Sequence, residues 1–513
     1  MSLLCLLTAF FTIFLFSGCN SARKQIDKNQ HIIFYSDYGA IGDGVTDDFD
    51  AIIAAHEAAN KAGAKVSADP GASYYIGGAD KTARIETDTD WRGANFTIDD
   101  SAVTINENSW LDSWLFDVVS TKPSIQITSV QTLNKNQAKL DLSLPFPAVL
   151  VVTDTGTKRY IRRGPNQNPG ANQTDVFIVD ENGSVDQSAP IIWDFENVTS
   201  MTAFPIDIDT LTITGGTFTT IANTGNSDNN YMKRGIRISR SNTVVDGLVH
   251  LITGETEQGG PYDGFIKMEN CANVTIINTT FTGRRGYRRP SRPNVTRGTY
   301  GINASRTINL SVINCSQTND ITDNAFWGVF TSNYSKNILF DNVEFSRFDA
   351  HQGVYNTTIL NSHLGHQGIA IIGSGLLKIE NTKVSGPNFI NLRSDYGSTW
   401  EGDVIIRNCT FAPPVNRLNN NTARIINTDN DGQWDFGYPC YMPETITIEG
   451  LTVIDQSASA EYEGILLVGA VNTGTNTEPF PYRFTKTIYL SGFSGGKPWR
   501  MSNNYIRDNI QVQ

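Results

Sequence analysis

One short pattern constrains this 513-residue chain more than any other: alternating apolar positions, then Asn, then a further apolar position two or three residues on. It occurs as VTIINTTF around Asn278, ILFDNVEF around Asn342, LLKIENTKV around Asn381 and VIIRNCTF around Asn408. Shorter relatives put Asn314 (LSVINCS) and Asn361 (TILNSHL) at the same point, and LTITGGTF and ITIEGLTV put Gly215 and Gly450 there. From Asn278 the successive spacings are 36, 28, 19, 20 and 27 residues. Units of this length with a two-residue apolar period read as coils of a β-solenoid: no coil can bury its own apolar face, and stacking the coils makes one continuous core. Asn and Gly tolerate the left-handed backbone that a corner between strands requires. The irregular spacings imply insertions that project as loops on one side.

Composition fits that reading. With 39% hydrophobic and 18% charged residues and 44 Gly, the chain has ample core and many turns. Cys271, Cys315 and Cys409 each follow an Asn after an apolar run, which suggests repeated core positions rather than a disulfide framework, and neither they nor Cys440 forms a CxxC pair or a zinc-type cluster. A formal net charge of −12 argues against nucleic acid as a partner.

Residues 3–16, LLCLLTAFFTIFLF, are an apolar run of signal-peptide length, too short for a comfortable membrane span. The run ends in Ser17-Gly18-Cys19, which resembles a bacterial lipobox, although no Lys or Arg precedes it. The expectation is a signal peptide over 1–18, lipidation of Cys19, a polar tether over 19–30 and a single domain over 31–513. The product is then an exported lipoprotein, anchored to an outer or cell-surface membrane and facing the periplasm or the cell surface.

The segment IIFYSDYGAIGDGVTDDFDAIIAAHEAANKAGAKVSADPGASYYIG predicts a strand, a Gly-rich turn and a helix capped by Thr46, with Asp47 and Asp48 in its first turn and Gly63 at its end. Two more strands follow. This segment resembles the opening of the pectate-lyase and polygalacturonase-like proteins. The resemblance implies an all-β, right-handed parallel β-helix with a short capping helix at its N-terminal end (31–77), and the Asn repeat marks 205–460 as the most regular coils. It also implies that the acidic residues of the cap are structural.

A fold of this kind does not name a reaction, so a site is needed. Coils aligned on a recurring Gly (Gly235, Gly264, Gly301, Gly328, Gly353, Gly368) place the residue two before each Gly on the outside: Lys233, Tyr262, Thr299, Phe326, His351 and His366. The tripeptide His-Gln-Gly occurs twice, fifteen residues apart, in a chain with six histidines. The alignment therefore predicts that His351 and His366 stack on one face. Arg237, Asn303 and Tyr355 fall on that face as well, while Trp327, Phe326, Tyr300 and Tyr355 offer surfaces for sugar rings. The insertion GRRGYRRPSRPNVTR brings six arginines together, among them Arg288 and Arg289, as expected of a site for a polyanion or carboxylated sugar. Arg393 belongs to a later coil. The run Asn427, Asp429, Asp431, Gly432 resembles part of a calcium loop without its final Glu, which makes Asp429 and Asp431 weak candidates for Ca²⁺.

These residues fit a polysaccharide lyase. β-Elimination from a uronate needs its carboxylate neutralised, its C5 proton removed and the leaving O4 protonated. His351 or His366 is the candidate base, Tyr300 or Tyr355 the acid, and Arg347 with Arg288 and Arg289 the carboxylate clamp, with Lys233, Arg237, Asn303, Trp327 and Arg393 as further substrate contacts. The arginine cluster favours a glycosaminoglycan such as chondroitin or hyaluronan, with pectin and alginate open. A glycoside hydrolase needs two carboxyl groups. Of the polygalacturonase signature only Gly365-His366 persists, and NTD (Asn427 to Asp429) lies downstream of it, so Asp323, Asp349, Asp395 and Asp429 are unspecific candidates. A non-catalytic, tailspike-like glycan-binding protein is the third reading.

Overall fold

Every coil turns on residues that hold a left-handed backbone. Asn278, Asn314, Asn342, Asn361, Asn381 and Asn408, with Gly215 and Gly450, all have φ between 49° and 68°, so the repeat read from the sequence marks a real corner. A second corner, which the repeat does not reveal, carries Asn242, Asn273, Asn309, Asn337 and Asn356, with φ of 55–57°. There each side-chain amide donates to the carbonyl of the Asn one coil earlier: Asn273 to Asn242 at 2.8 Å, Asn309 to Asn273 and Asn337 to Asn309 at 2.9 Å, Asn356 to Asn337 at 3.1 Å. Such a ladder satisfies polar groups that the corner would otherwise strand.

Between corners run three parallel sheets. The computed structural model describes residues 31–105, 108, 110–164, 166–225, 231–258, 262–289, 291–469, 479–501 and 510–512. The expected signal segment 1–18, Cys19 and the tether lie outside them. The first sheet starts with Ile32–Phe34, Lys65–Ser67 and Thr89–Asp90 and continues through Leu211–Thr214 and Thr243–Asp246 to Thr445–Glu449 and Thr487–Ser491. The second includes Ser73–Ile76, Asn95–Asp99, Thr217–Ile221 and Val249–Thr253. The third carries Ala83–Ile85, Phe116–Val118 and Ile236–Ile238, then segments 266–268, 302–305 and 330–333, and later Asn388–Leu392 and Arg424–Asn427. The molecule is the right-handed parallel β-helix that the sequence predicts. Alternation is strict on the third sheet: Ile236, Ile266, Ile302 and Phe330 point inward and are fully buried, while Arg237, Lys267, Asn303 and Thr331 line up outside. Cys271, Cys315, Cys409 and Cys440 are free and buried.

The N-terminal helix spans Phe49–Ala62 and ends at Gly63 in the left-handed region, buried through Phe49, Ile52, Ala55, His56 and Ala59. Its N-cap is Asp48, not Thr46. Residues Asp43–Asp47 pair as a strand with the next coil, which delays the helix. The Asp48 carboxylate accepts the backbone N–H of Ile41 (2.6 Å) and Gly42 (3.1 Å), and Asp47 accepts that of Phe49 (3.0 Å). These acids build the cap.

A feature with no repeat signature interrupts the solenoid. Ala148–Arg159 pairs antiparallel with Ala171–Val179 on one side and Ser200–Pro205 on the other, with Ile125–Gln126 at the edge. One face of this sheet has its own core (Leu140, Leu150, Phe177, Phe195), and the other packs Val149, Val176 and Ala189 on the corner residues Ala272 and Ile308. Buried Lys336 of the solenoid pairs with buried Asp175 of the insertion at 2.7 Å. The insertion is therefore docked firmly enough to help shape a site.

The corner ladder carries a prediction. Asn309→Ala places a Cβ-bearing residue without a local hydrogen bond in a left-handed conformation, which costs about 1–2 kcal/mol, and removes two ladder hydrogen bonds worth about 1 kcal/mol each. Asn309→Gly recovers the backbone part only. Urea midpoints should rank wild type above Gly above Ala; equal midpoints for Gly and Ala would show that the corner conformation is not the constraint.

Candidate functional site

The run Arg347-Phe348-Asp349-Ala350-His351 obeys the same alternation. Phe348 and Ala350 are fully buried inward, so Arg347, Asp349 and His351 project together from the outer side of the third sheet. Asp349 is nevertheless 0% exposed. A carboxylate cannot be buried unpaired, and this one is surrounded by donors: Arg347 Nη2 at 2.6 Å, His351 Nε2 at 2.9 Å and the Tyr300 hydroxyl on Oδ2, and Arg393 Nη1 at 3.0 Å on Oδ1. Burial opposes its ionisation, but Arg347, His351 and Arg393 hold it well below the usual carboxylate range. It is a fixed anion.

That anion sets the state of its neighbours. With His351 Nε2–H donating to Asp349, the lone pair lies on Nδ1, which meets the Thr331 hydroxyl at 3.0 Å. Burial pushes the imidazole below its ordinary value; Asp349 pulls the other way and does not overcome it. His351 is therefore neutral at pH 7. Tyr300, edge-on to the His351 ring at 5.9 Å, has its hydroxyl pushed up by burial and by Asp349, and keeps its proton. Arg393 holds Asp395 at 2.8 Å as well as Asp349, and Arg162 from the insertion binds Asp395 at 2.7 Å.

These groups line one groove, whose volume of about 410 Å³ falls in the range of ligand sites. Its floor is the third sheet, where Asn303 donates to Asp263 at 2.7 Å. Burial raises the Asp263 carboxyl, against the pull of Lys267. Its walls come from elsewhere: Arg162 and Asn166 from the insertion, with Asn166 accepting from Arg297 of the arginine-rich hairpin, and Trp327 from the excursion before the 330–333 segment. Arg347 lies over the Trp327 ring at 5.0 Å. Its Nε and Nη1 are buried and have no acceptor in the protein, as are Trp327 Nε1 and the Asn303 Oδ1 acceptor. A buried cation with two unused N–H donors is costly unless a ligand anion meets them.

Of the residues singled out by sequence, Tyr300, Arg347, His351, Asn303, Trp327 and Arg393 line this groove. His366 does not. Arg347 pairs with Gly368 and Asp349 with Ala370, so the coil step here is 21 residues and not the fifteen that separate the two His-Gln-Gly tripeptides. His351 lies two residues beyond Asp349 and His366 two before Gly368, which leaves them at opposite ends of the sheet. His366 instead donates from Nδ1 to the Ile321 carbonyl at 3.2 Å. The Gly alignment fails for the same reason: the true register is Ile236, Ile266, Ile302, Phe330, so Gly264 and Gly328 are one residue out of step with Gly235 and Gly301.

Tyr355 sits under the insertion beside Lys336, Asp175 and Tyr160, away from the groove. Lys233 pairs with Asp112 at 2.7 Å and Arg237 with Asp117 at 2.8 Å on earlier coils. The arginine-rich segment is a hairpin, Tyr287–Arg289 against Arg292–Arg297, in which Arg289 pairs with Arg292 through the backbone. Arg284 is buried against Glu255 and the Tyr262 ring, and Arg288 binds the Pro293 carbonyl at 2.8 Å, with Glu257 at 3.9 Å. Among the described side chains of that cluster Arg297 lines the groove; the Arg289 side chain lies outside the described residues. Asp431, one of the two candidates for Ca²⁺, pairs with Arg163 at 3.0 Å, and among the described residues no group of three His, Cys, Asp or Glu side chains is placed to hold a metal.

Its place two residues before His351 already marks Asp349 as able to orient the imidazole; that it also takes Arg347, Tyr300 and Arg393 is not readable from the sequence. Sequence reasoning missed Thr331, Arg162 and Asn166; the last two come from the insertion, for which no sequence signal was available.

No family model and no curated protein matches the chain. Among solved structures it is similar to the tailspike protein gp49 from Pseudomonas phage LKA1, at 13% identity and a TM-score of 0.55, over 94% of this chain and 84% of that one. It also matches the Gp54 tailspike of Acinetobacter baumannii bacteriophage AP22 (11% identity, TM-score 0.49, 96% and 82% covered) and the Azotobacter vinelandii mannuronan C-5 epimerase AlgE6 A-module (12%, 0.38, 94% and 95%). At this identity the likeness to gp49 shows the fold, a parallel β-helix running nearly the whole length of the chain.

Proposed function

We propose that the protein is a polysaccharide lyase that cleaves a uronate-bearing chain by β-elimination. The observation that carries this reading is Arg347: a buried guanidinium lining the groove, one N–H group on Asp349 and two donor atoms without a protein acceptor, beside a neutral histidine held by the same carboxylate. A uronate carboxylate that reaches Arg347 Nε and Nη1, as the Trp327 ring beside the guanidinium gives way, gains charge-assisted hydrogen bonds, and neutralising it acidifies the C5 proton. His351 accepts that proton at Nδ1, once the Thr331 hydroxyl turns aside, and Asp349 stabilises the imidazolium that forms. Tyr300, protonated at neutral pH, turns its hydroxyl from Asp349 Oδ2 to the departing O4 and delivers the proton there. The C4–O4 bond breaks as the C4=C5 double bond forms; His351 then releases the C5 proton from Nδ1 to water, and water reprotonates the Tyr300 phenolate, which resets both groups.

The hydrolase reading fits less well. It needs two working carboxyl groups, and of those described beside the groove Asp349 already takes four donors, Asp395 takes Arg393 and Arg162, and Asp263 takes Asn303 and Lys267. A partly exposed neutral histidine held between a fixed anion and a hydroxyl favours catalysis over binding alone. The substrate is a uronate polymer; because most of the arginine cluster is engaged within the protein, sulfate is not required, and glycosaminoglycans, pectin and alginate all stay in the class. Export and anchoring through Cys19 are part of the same proposal: they place the enzyme where such polymers are met.

Incubation with hyaluronan, chondroitin, polygalacturonate and alginate should give, on at least one, an ultraviolet-absorbing 4,5-unsaturated uronate. New reducing ends without it would mean hydrolysis, and neither would mean binding alone. On the substrate that is cleaved, His351→Ala and Tyr300→Phe should each lower kcat by roughly 10²–10⁴, whereas His366→Ala should stay within a few-fold. Equal losses at His351 and His366 would contradict the assignment. Because burial lowers the His351 pKa below 6.5, the base form persists as pH falls through 6.5, and the acid limb of kcat/KM should have its midpoint below that value. A midpoint above 6.5 would mean that a different group is the base.

A further inference from the structure

A second cavity lies where the inserted sheet meets the solenoid. Trp193 and Arg159 come from the insertion, and Ser374, Glu401, Tyr438 and Tyr441 from the coils below. Its chemistry differs from that of the groove. The charges are balanced and used: Lys135 pairs with Glu401 at 2.9 Å, the Asp194 carboxylate accepts the Lys135 backbone N–H at 2.7 Å, and Arg159 binds Gln173 and the Gly437 carbonyl while stacking on Trp193 at 4.6 Å. What remains is aromatic surface and one unmet donor. Trp193 and Tyr438 stand 6.3 Å apart at 37°, and the Trp193 Nε1–H is buried without a protein acceptor.

We infer that this cavity binds an uncharged sugar unit. Aromatic rings receive the C–H faces of a pyranose, the indole N–H and the rim groups take its hydroxyl or acetamido oxygens, and the two cations of the lining are already engaged, Lys135 by Glu401 and Arg159 by Gln173, the Gly437 carbonyl and the Trp193 ring. The cavity adjoins the groove. Gln352 lines the groove and Val354, two residues on, lines the cavity; Tyr160 of the cavity wall and Tyr396 of the groove wall lie ring to ring at 6.5 Å, and Tyr438 donates to the Tyr396 carbonyl at 2.7 Å. Two residues of a strand span about 6–7 Å, a short step along a glycan. Resting on the lyase reading, the pair of sites selects a heteropolymer in which a uronate at Arg347 is flanked by a neutral sugar at Trp193.

The test needs no turnover. Uncharged tetrasaccharides built from glucose, galactose, mannose or N-acetylhexosamine are titrated into the full-length protein, with saturation-transfer NMR and tryptophan fluorescence as readouts. At least one should bind. Tyr441→Ala, which removes an aromatic wall, and Ser374→Phe, which fills the cavity from an outward strand position, should each weaken that binding at least tenfold, and Arg347→Ala should leave it within twofold. Absence of binding by every member, survival of binding in either cavity variant, or its loss in Arg347→Ala would overturn the inference. Failure of the lyase reading shows separately, as no unsaturated product from any uronate polymer with neutral-sugar binding intact.

Discussion

Asp349 is the interaction on which the site depends. A carboxylate with no exposure survives only with its charge matched, and here the matching groups are the ones that meet the groove: Arg347, His351, Tyr300 and Arg393. Each is oriented by the same two oxygen atoms. The anion fixes which nitrogen of His351 carries the proton, keeps the Tyr300 hydroxyl pointing to one place, and leaves Arg347 with donors to spare. Removing one partner leaves an uncompensated charge, so the cluster acts as a unit rather than as four separate contacts.

The solenoid makes such a cluster possible at short range. Tyr300, Thr331 and Asp349 are far apart in sequence, but coils stack at the spacing of paired strands, about 4.8 Å, so side chains from three successive turns converge. The Asn ladder holds that spacing at the corner beside the third sheet. The docked insertion then roofs one end of the groove through Arg162 and Asn166 and forms one wall of the neighbouring cavity, so a departure from the repeat closes the site the repeat presents.

The fold was legible in the sequence because its cause is local. An Asn or Gly in a left-handed corner, preceded by two inward apolar residues, leaves a mark at every coil, and the predicted Asn and Gly positions are corners. The N-cap of the helix was misplaced by two residues because Asp43–Asp47 pairs with the following coil, a contact no local signal records. The site was legible in part. Tyr300, Arg347, His351, Asn303, Trp327 and Arg393, singled out from the sequence, come together along one groove, yet the register that linked His351 to His366 was wrong, since a repeated tripeptide need not repeat at the coil length. Whether an arginine is paired internally, as Arg284, Arg288 and Arg237 are, depends on acidic residues from other coils and leaves no mark in the sequence around it.

The protonation state of His351 decides most directly whether it can act as the base. Nitrogen-15 NMR of the histidine side chains, with His351 assigned by substitution, reads that state without a substrate. At pH 7 the ring should be neutral with its proton on Nε2, and should stay so down to below pH 6.5. An imidazolium at neutral pH, or a proton on Nδ1, would contradict it.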